Sequence, residues 1–111
     1  MNSSAEAAML YHIDVDIDYG ALGDARDAVL KAEWERTAAL KEQGVVIAEY
    51  RRADATGVIA VWNCRSHDHL AELLRGLPIY PYLSDIRIAP LVDHPLFPHP
   101  PAPEPQKETP S

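Results

Sequence analysis

The stretch VVIAEYRRADATGVIAVWNC (residues 45–64) contains two strand patterns in direct succession. Its two halves, VVIAEYRR (45–52) and GVIAVWNC (57–64), are rich in the β-branched and aromatic residues that favour strands. The short segment ADAT between them is long enough for a hairpin loop. The stretch therefore predicts two antiparallel strands with no helix between them.

Helical patterns lie on both sides of this hairpin. Residues 25–43 predict a long helix with Asp24 as its N-cap and Gly44 at its C-terminal end. After the hairpin, residues 66–76 predict a shorter helix that begins at Ser66, because a serine hydroxyl can accept a hydrogen bond from a free backbone N–H of the first turn. The hairpin is thus predicted to connect two helices.

Two further strand patterns complete the order of elements. LYHIDVDID (10–18) and SDIRIAPLV (84–92) alternate between polar and apolar residues. The resulting βαββαβ order predicts an α+β fold, a ferredoxin-like sandwich in which an antiparallel four-stranded sheet carries both helices on one face. We expect this domain to span residues 9–95, after a flexible leader (1–8) and before a proline-rich tail (96–111).

Composition excludes several classes of function. The chain has 111 residues and a formal net charge of -7, which argues against binding to nucleic-acid phosphates or to anionic membrane surfaces. No apolar run approaches the length of a membrane span, so the cytoplasm is the expected location. The single cysteine, Cys64, excludes an intramolecular disulfide and is expected to be a strand-end residue rather than a nucleophile.

The first strand is expected to have one apolar and one polar face. Alternation places the side chains of His12, Asp14 and Asp16 together on the polar face. In the usual strand order this strand is central, so Arg87 on the last strand can reach the acidic side chains. Because polar groups at the centre of a sheet must be satisfied, this face is expected either to be hydrated or to hold a ligand.

The segment LPIYPY (77–82) forms a rigid connection between the second helix and the last strand. Pro78 and Pro81 are incompatible with a helix interior or a central strand, and they restrict the backbone around two tyrosines. Tyr80 and Tyr82 are therefore expected either simply to follow a helix stop or to form one wall of a site.

Three segments of the chain resemble the muconolactone Δ-isomerase family: MLYHIDVDI (9–17), AEWERTAALKEQG (32–44) and LPIYPY, which is followed by a strand and by His94 and Pro95. The resemblance covers roughly residues 9–95. It implies a protomer that pairs into a dimeric α/β barrel, often within a larger homo-oligomer. It also implies a cofactor-free activity that moves a double bond within an unsaturated lactone carrying a carboxylate.

The resemblance also assigns catalytic roles to three residues. Glu33 corresponds to the helix glutamate of the family and is the predicted acid/base. Arg51 corresponds to the arginine of a Trp-Arg pair and is the predicted clamp for the substrate carboxylate, since a guanidinium can bind both oxygens at once. His12 corresponds to the first-strand histidine and is predicted to carry or donate a proton.

Five further residues are predicted to bind the substrate: Tyr50, Tyr80, Tyr82, Asp14 and Arg87. Tyr50 replaces the tryptophan of the Trp-Arg pair, and Tyr82 corresponds to the tyrosine of the LPIYPY segment. For Asp14 and Arg87 the alternative of a structural ion pair is slightly favoured over a role in the site.

The chain departs from the family pattern at two of the positions compared. Asp14 replaces a lysine, and Val58 replaces an asparagine, so the substrate is expected to differ or the reaction to be lost. The alternatives are a cyclase, dehydratase or dehalogenating lyase that uses Glu33 as its base, and a non-catalytic oligomeric protein that binds a small molecule. From the residues alone, the charged stretch around Glu33 favours a solvated helix residue, and it is the resemblance that raises the catalytic role to an equal alternative.

No metal site is predicted from the histidines. His67 and His69 flank Asp68 at the start of the second helix, and side chains two positions apart on a helix do not share a face. They are therefore poorly placed to bind one metal ion together.

Overall fold

The strands form one antiparallel sheet in the order β2-β3-β1-β4. Their bounds are β1 (Met9–Ile17), β2 (Val46–Arg51), β3 (Gly57–Cys64) and β4 (Leu83–Leu91). The structure is a computed structural model that describes residues 9–97. The predicted leader (1–8) and most of the predicted tail (98–111) therefore lie outside the described residues. The central position of β1, between β3 and β4, is confirmed.

Two helices pack on one face of this sheet, α1 (Arg26–Glu42) and α2 (His67–Arg75). Leu40 of α1 and Leu74 of α2 are buried together with Ile13 and Trp62, so the core lies between the helices and the sheet. The predicted ferredoxin-like βαββαβ arrangement is confirmed. Neither helix in residues 9–97 combines the length and hydropathy needed to cross a bilayer.

The ends of the helices confirm two predictions and correct one. Ser66 caps α2, since its hydroxyl accepts a hydrogen bond from the backbone N–H of His69 at 3.0 Å. Gly44 follows the end of α1 with φ = 83°, a left-handed conformation that favours glycine. The prediction that Asp24 caps α1 is wrong, because a 3₁₀ turn (Tyr19–Ala25) runs directly into the helix.

A β-bulge interrupts the pairing of β2 with β3. Val46 lies opposite Trp62, but Ala48 already lies opposite Val61, which leaves Ile47 as an additional residue on β2. A bulge of this kind reverses the faces of all residues that follow it on the strand, because side chains alternate with a period of two.

The bulge turns Glu49 and Arg51 toward the helices. Glu49 pairs with Ala60 and Arg51 pairs with Val58, and these β3 residues lie on the same face as the buried apolar side chains of β1. Cross-strand partners share a face of the sheet, so both charged side chains of β2 lie on the helix side. Tyr50 lies on the opposite face.

Candidate functional site

A cavity of about 1040 Å³ lies between α1 and the sheet. Its walls are one side of α1, the helix-side face of the sheet, and Leu77 and Ile79 of the LPIYPY segment. The volume is at the upper end of the range of roughly 300–1,000 Å³ that is common for small-molecule sites. Apolar side chains, among them Val15, Val58 and Trp62, form most of the sheet wall.

The α1 wall is a stripe of side chains three or four positions apart. Arg26, Leu30, Glu33, Thr37 and Lys41 all line the cavity. Residues at this spacing lie above one another on one face of a helix. The helix therefore contributes both a carboxylate and cations to the cavity.

Glu33 is held in place by two hydrogen bonds. Its Oε1 accepts from the backbone N–H of Ile79 at 3.1 Å, and its Oε2 accepts from the Thr37 hydroxyl at 3.4 Å. Burial raises the pKa of Glu33, against the opposing effects of these hydrogen bonds and of the charge of Arg36. An ionised carboxylate has about four lone-pair sites, so two of them remain available for a substrate proton.

The LPIYPY segment contributes to the site through Leu77 and Ile79. Both side chains are buried and line the cavity, and the backbone of Ile79 binds Glu33. Tyr80 and Tyr82 are partly buried against the core and are not among the lining residues. The rigid connection thus positions the helix glutamate, a contact that the sequence alone did not indicate.

The sheet wall contributes a second carboxylate and a guanidinium, Glu49 and Arg51. Glu49 is exposed as a residue, yet it lies in a concave site whose walls reduce the solvation of its carboxyl. This burial, together with the charge of Glu33, raises the pKa of Glu49. Sequence reasoning missed Glu49, because simple alternation from the buried Val46 places position 49 on the other face.

The predicted open face of the sheet carries a network of ion pairs. Arg52 contacts Asp14 through Nη1 at 2.7 Å and Asp16 through Nη2 at 2.6 Å, and Arg87 Nη2 lies 2.9 Å from Asp16. The hydrogen bonds from Arg87 and Arg52 lower the pKa of both aspartates. The predicted approach of Arg87 to the acidic face is confirmed, and Arg52 is an additional partner.

The structure therefore divides the predicted site residues into three groups. Glu33 and Arg51 line the same cavity. Tyr80 and Tyr82 lie beside it, in the segment that supplies two lining residues. The remaining predicted residues lie on the opposite face of the sheet and are not brought to the cavity: His12, Asp14, Tyr50 and Arg87.

His67, His69 and Cys64 lie outside the cavity. His67 Nδ1 lies 2.5 Å from the hydroxyl of Tyr11, and His69 Nδ1 accepts the backbone N–H of Arg65 at 3.0 Å. Burial raises the pKa of the Cys64 thiol to about 11, which disfavours the nucleophilic thiolate. Within residues 9–97, no three His, Cys, Asp or Glu side chains are grouped so as to hold a metal ion.

Known proteins share both the sequence and the fold of this domain. A sequence model of the muconolactone delta-isomerase family matches residues 9–96. The muconolactone delta-isomerase of Cupriavidus pinatubonensis is 30% identical over 89 residues, which cover 78% of this chain and 96% of that relative.

Two solved structures extend the comparison. A crystal structure of muconolactone isomerase has a TM-score of 0.75 and 25% identity, and the match covers 86% of this chain and 100% of that chain. The 5-chloro-2-hydroxyhydroquinone dehydrochlorinase of Burkholderia phenoliruptrix has a TM-score of 0.64, with 78% of this chain and 96% of that chain covered. Because only 15% of the residues are identical, this match shows a shared fold and nothing more. The family match, by contrast, spans almost the whole described domain, and the chain belongs to the muconolactone delta-isomerase family.

Proposed function

We propose that this protein is a cofactor-independent isomerase that moves a carbon–carbon double bond within an unsaturated lactone carrying a carboxylate. Membership of the family supports this class of reaction. The observation that carries the proposal is the position of Glu33, a half-buried carboxylate fixed by two hydrogen bonds on the wall of a cavity that Arg51 also lines.

The reaction needs a base near the carbon that loses its proton. In the proposed mechanism, the Glu33 carboxylate removes a proton from the saturated ring carbon next to the C=C bond that is conjugated with the lactone carbonyl. The electron pair of the broken C–H bond moves into the ring and forms a dienolate. A proton is then added at the other end of the conjugated system, so the product is an isomer with the same atoms.

Arg51 is the proposed binding group for the carboxylate of the substrate. A guanidinium binds a carboxylate through two parallel hydrogen bonds, which fixes the orientation as well as the position of the ligand. Arg51 lies on the sheet wall while Glu33 lies on the helix wall, and we propose that the substrate binds between them and contacts both groups. The apolar remainder of the wall limits the access of water to the dienolate.

The test of this function is turnover of a lactone by the purified protein. We expect muconolactone or a substituted analogue to be isomerised, with the shift of the double bond followed by ¹H NMR. Saturable binding of the lactone without turnover would instead indicate a binding protein. Release of halide from a chlorinated lactone would identify an elimination reaction that uses the same base.

The role of Arg51 is tested by Arg51→Ala. Hydrogen bonds to charged groups contribute about 1.5–3 kcal/mol, so the variant is expected to raise KM about 10- to 100-fold with a smaller effect on kcat. The matched control is Arg65→Ala, because Arg65 is exposed and lies away from the cavity. Equal KM values for the wild type and Arg51→Ala would contradict the proposed clamp.

A second copy of the chain is the proposed partner of the open sheet face. Both helices lie on the other face, so the part of the chain that the structure describes leaves Tyr50 exposed and the Arg52 ion pairs partly exposed. The family resemblance implies that two copies pair into a dimeric α/β barrel. Light scattering on the purified protein is expected to give the mass of a dimer or a multiple of it, and a monomer mass would contradict the pairing.

A further inference from the structure

Glu49 is a charged side chain in the cavity that the proposed mechanism has not used. The bulge at Ile47 turns it to the helix side, where it faces the cavity from the sheet wall. Glu33 faces the same cavity from the helix wall. The cavity therefore holds two carboxyl groups on different secondary-structure elements.

We propose that Glu49 is the second proton-transfer group of this site: Glu33 removes a proton from the substrate, and Glu49 delivers a proton to it. This inference rests on the proposed isomerase function and adds to it a division of the two proton transfers between two residues.

The charges around the cavity favour such a division. Two carboxylates that face one cavity with largely apolar walls repel each other, which favours a state in which one of them keeps its proton. The repulsion is visible in the raised pKa of Glu49, where the charge of Glu33 acts in addition to burial. The cations that face the same space are Arg26, Lys41 and Arg51, and a substrate carboxylate would neutralise part of their charge.

Every proton in the proposed two-residue reaction is accounted for. The ionised glutamate takes the proton of the substrate C–H bond, and the electron pair of that bond forms the dienolate. The protonated glutamate then gives its proton to the carbon at the other end of the conjugated system. The two residues end with their protonation states exchanged, and proton exchange with water restores them. Glu49 is exposed to solvent, which provides the route for this exchange.

Solvent deuterium measures where the delivered proton originates. With a lactone as substrate in D₂O, the wild type is expected to place deuterium at the newly protonated carbon in nearly every product molecule during the first turnovers. Transfer by Glu33 alone would carry substrate hydrogen from one carbon to the other in every turnover in which delivery is faster than exchange of the Glu33 proton with solvent. Retention of the substrate hydrogen by the wild type would therefore overturn the role of Glu49 while leaving the isomerase function intact.

The variant Glu49→Gln provides a second test of the proposed role of Glu49. We expect its kcat to fall about 100-fold, as for the loss of a general acid, and its remaining product to retain more of the substrate hydrogen. The matched control is Glu35→Gln on the exposed side of α1, where Glu35 pairs with Lys31 at 2.7 Å. Unchanged kcat and unchanged deuterium content in Glu49→Gln would overturn the proposal. No turnover of any lactone by the wild type would overturn both the isomerase function and this role.

A measurement without substrate tests the coupling of the two carboxyls directly. In protein labelled with ¹³C at the glutamate carboxyls, Glu33→Gln is expected to lower the pKa of Glu49, since it removes the neighbouring charge. An identical Glu49 titration in the wild type and in Glu33→Gln would overturn the proposed pairing, whatever the substrate is.

Discussion

Glu33→Gln is expected to lower kcat about 100- to 10,000-fold, which is the usual effect of removing a general acid/base. Glutamine keeps an oxygen that can accept the Ile79 N–H, so the contact between α1 and the LPIYPY segment is preserved. The amide cannot take a proton from carbon, and this is the function that the variant removes. The measurement is steady-state isomerisation of the lactone followed by NMR.

The control for this variant is Glu35→Gln, two positions along the same helix. Glu35 is exposed and is not among the residues that line the cavity, so its replacement is expected to leave kcat within about twofold, as is usual for surface positions. Full activity of Glu33→Gln would contradict the assignment of the base.

The pH dependence provides an independent signature of Glu33. A carboxylate base is active when ionised, so kcat/KM rises with pH through the pKa of Glu33. Burial raises this pKa, and the acid limb of the profile is therefore expected at a higher pH than for an exposed glutamate. The limb should disappear or move in Glu33→Gln.

The same pKa shift predicts how the variant affects stability. Since the folded-state pKa is raised, the folded protein binds the Glu33 proton more tightly than the unfolded chain, and this contribution is lost as pH rises through the folded pKa. At pH 7 the fold is therefore less stable with an ionised carboxylate at position 33 than with a neutral side chain there. Glu33→Gln should not lower Tm at pH 7, which separates loss of chemistry from loss of folding.

The features that sequence predicted correctly depend on local patterns. Alternation in β1 identified the buried face and the acidic face, and the positions of Ser66 and Gly44 marked two helix boundaries. The family resemblance also selected Glu33 and Arg51; both line one cavity, and their catalytic roles stay a prediction. These predictions needed only the periods of strands and helices or a matching motif.

The features that sequence missed depend on tertiary pairing. The bulge at Ile47 is a property of the register between β2 and β3, and it decides that Glu49 and Arg51 face the cavity while Arg52 binds the aspartates of β1. Alternation established only that Arg51 and Arg52 lie on opposite faces. The contact of the Ile79 N–H with Glu33 joins residues 46 positions apart, so no local pattern encodes it.

Gly57 begins β3 at the edge of the cavity, and the close approach of neighbouring atoms leaves no room for a side chain there. A Cβ atom at this position would lie 2.0 Å from the carbonyl oxygen of Val15 and 3.1 Å from Cζ of Arg52. The first atom belongs to the backbone of the central strand, and Arg52 is held by ion pairs with Asp14 and Asp16. Neither neighbour can move without disturbing the sheet or the ion-pair network.

Gly57→Ala is therefore expected to destabilise the fold by about 3 kcal/mol, at the upper end of the usual effect of overpacking. For a domain of this size, that loss corresponds to a decrease in Tm of more than about 10 °C, measured by thermal unfolding. Gly76→Ala is the matched control, because its Cβ would meet nothing closer than the Glu72 carbonyl oxygen at 3.5 Å. We expect the control to change stability by less than about 1 kcal/mol, since the helix-like backbone of Gly76 suits alanine. Equal decreases in Tm for the two variants would show that β1 and β3 can separate locally, and the close approach at Gly57 would then not restrict the residue at this position.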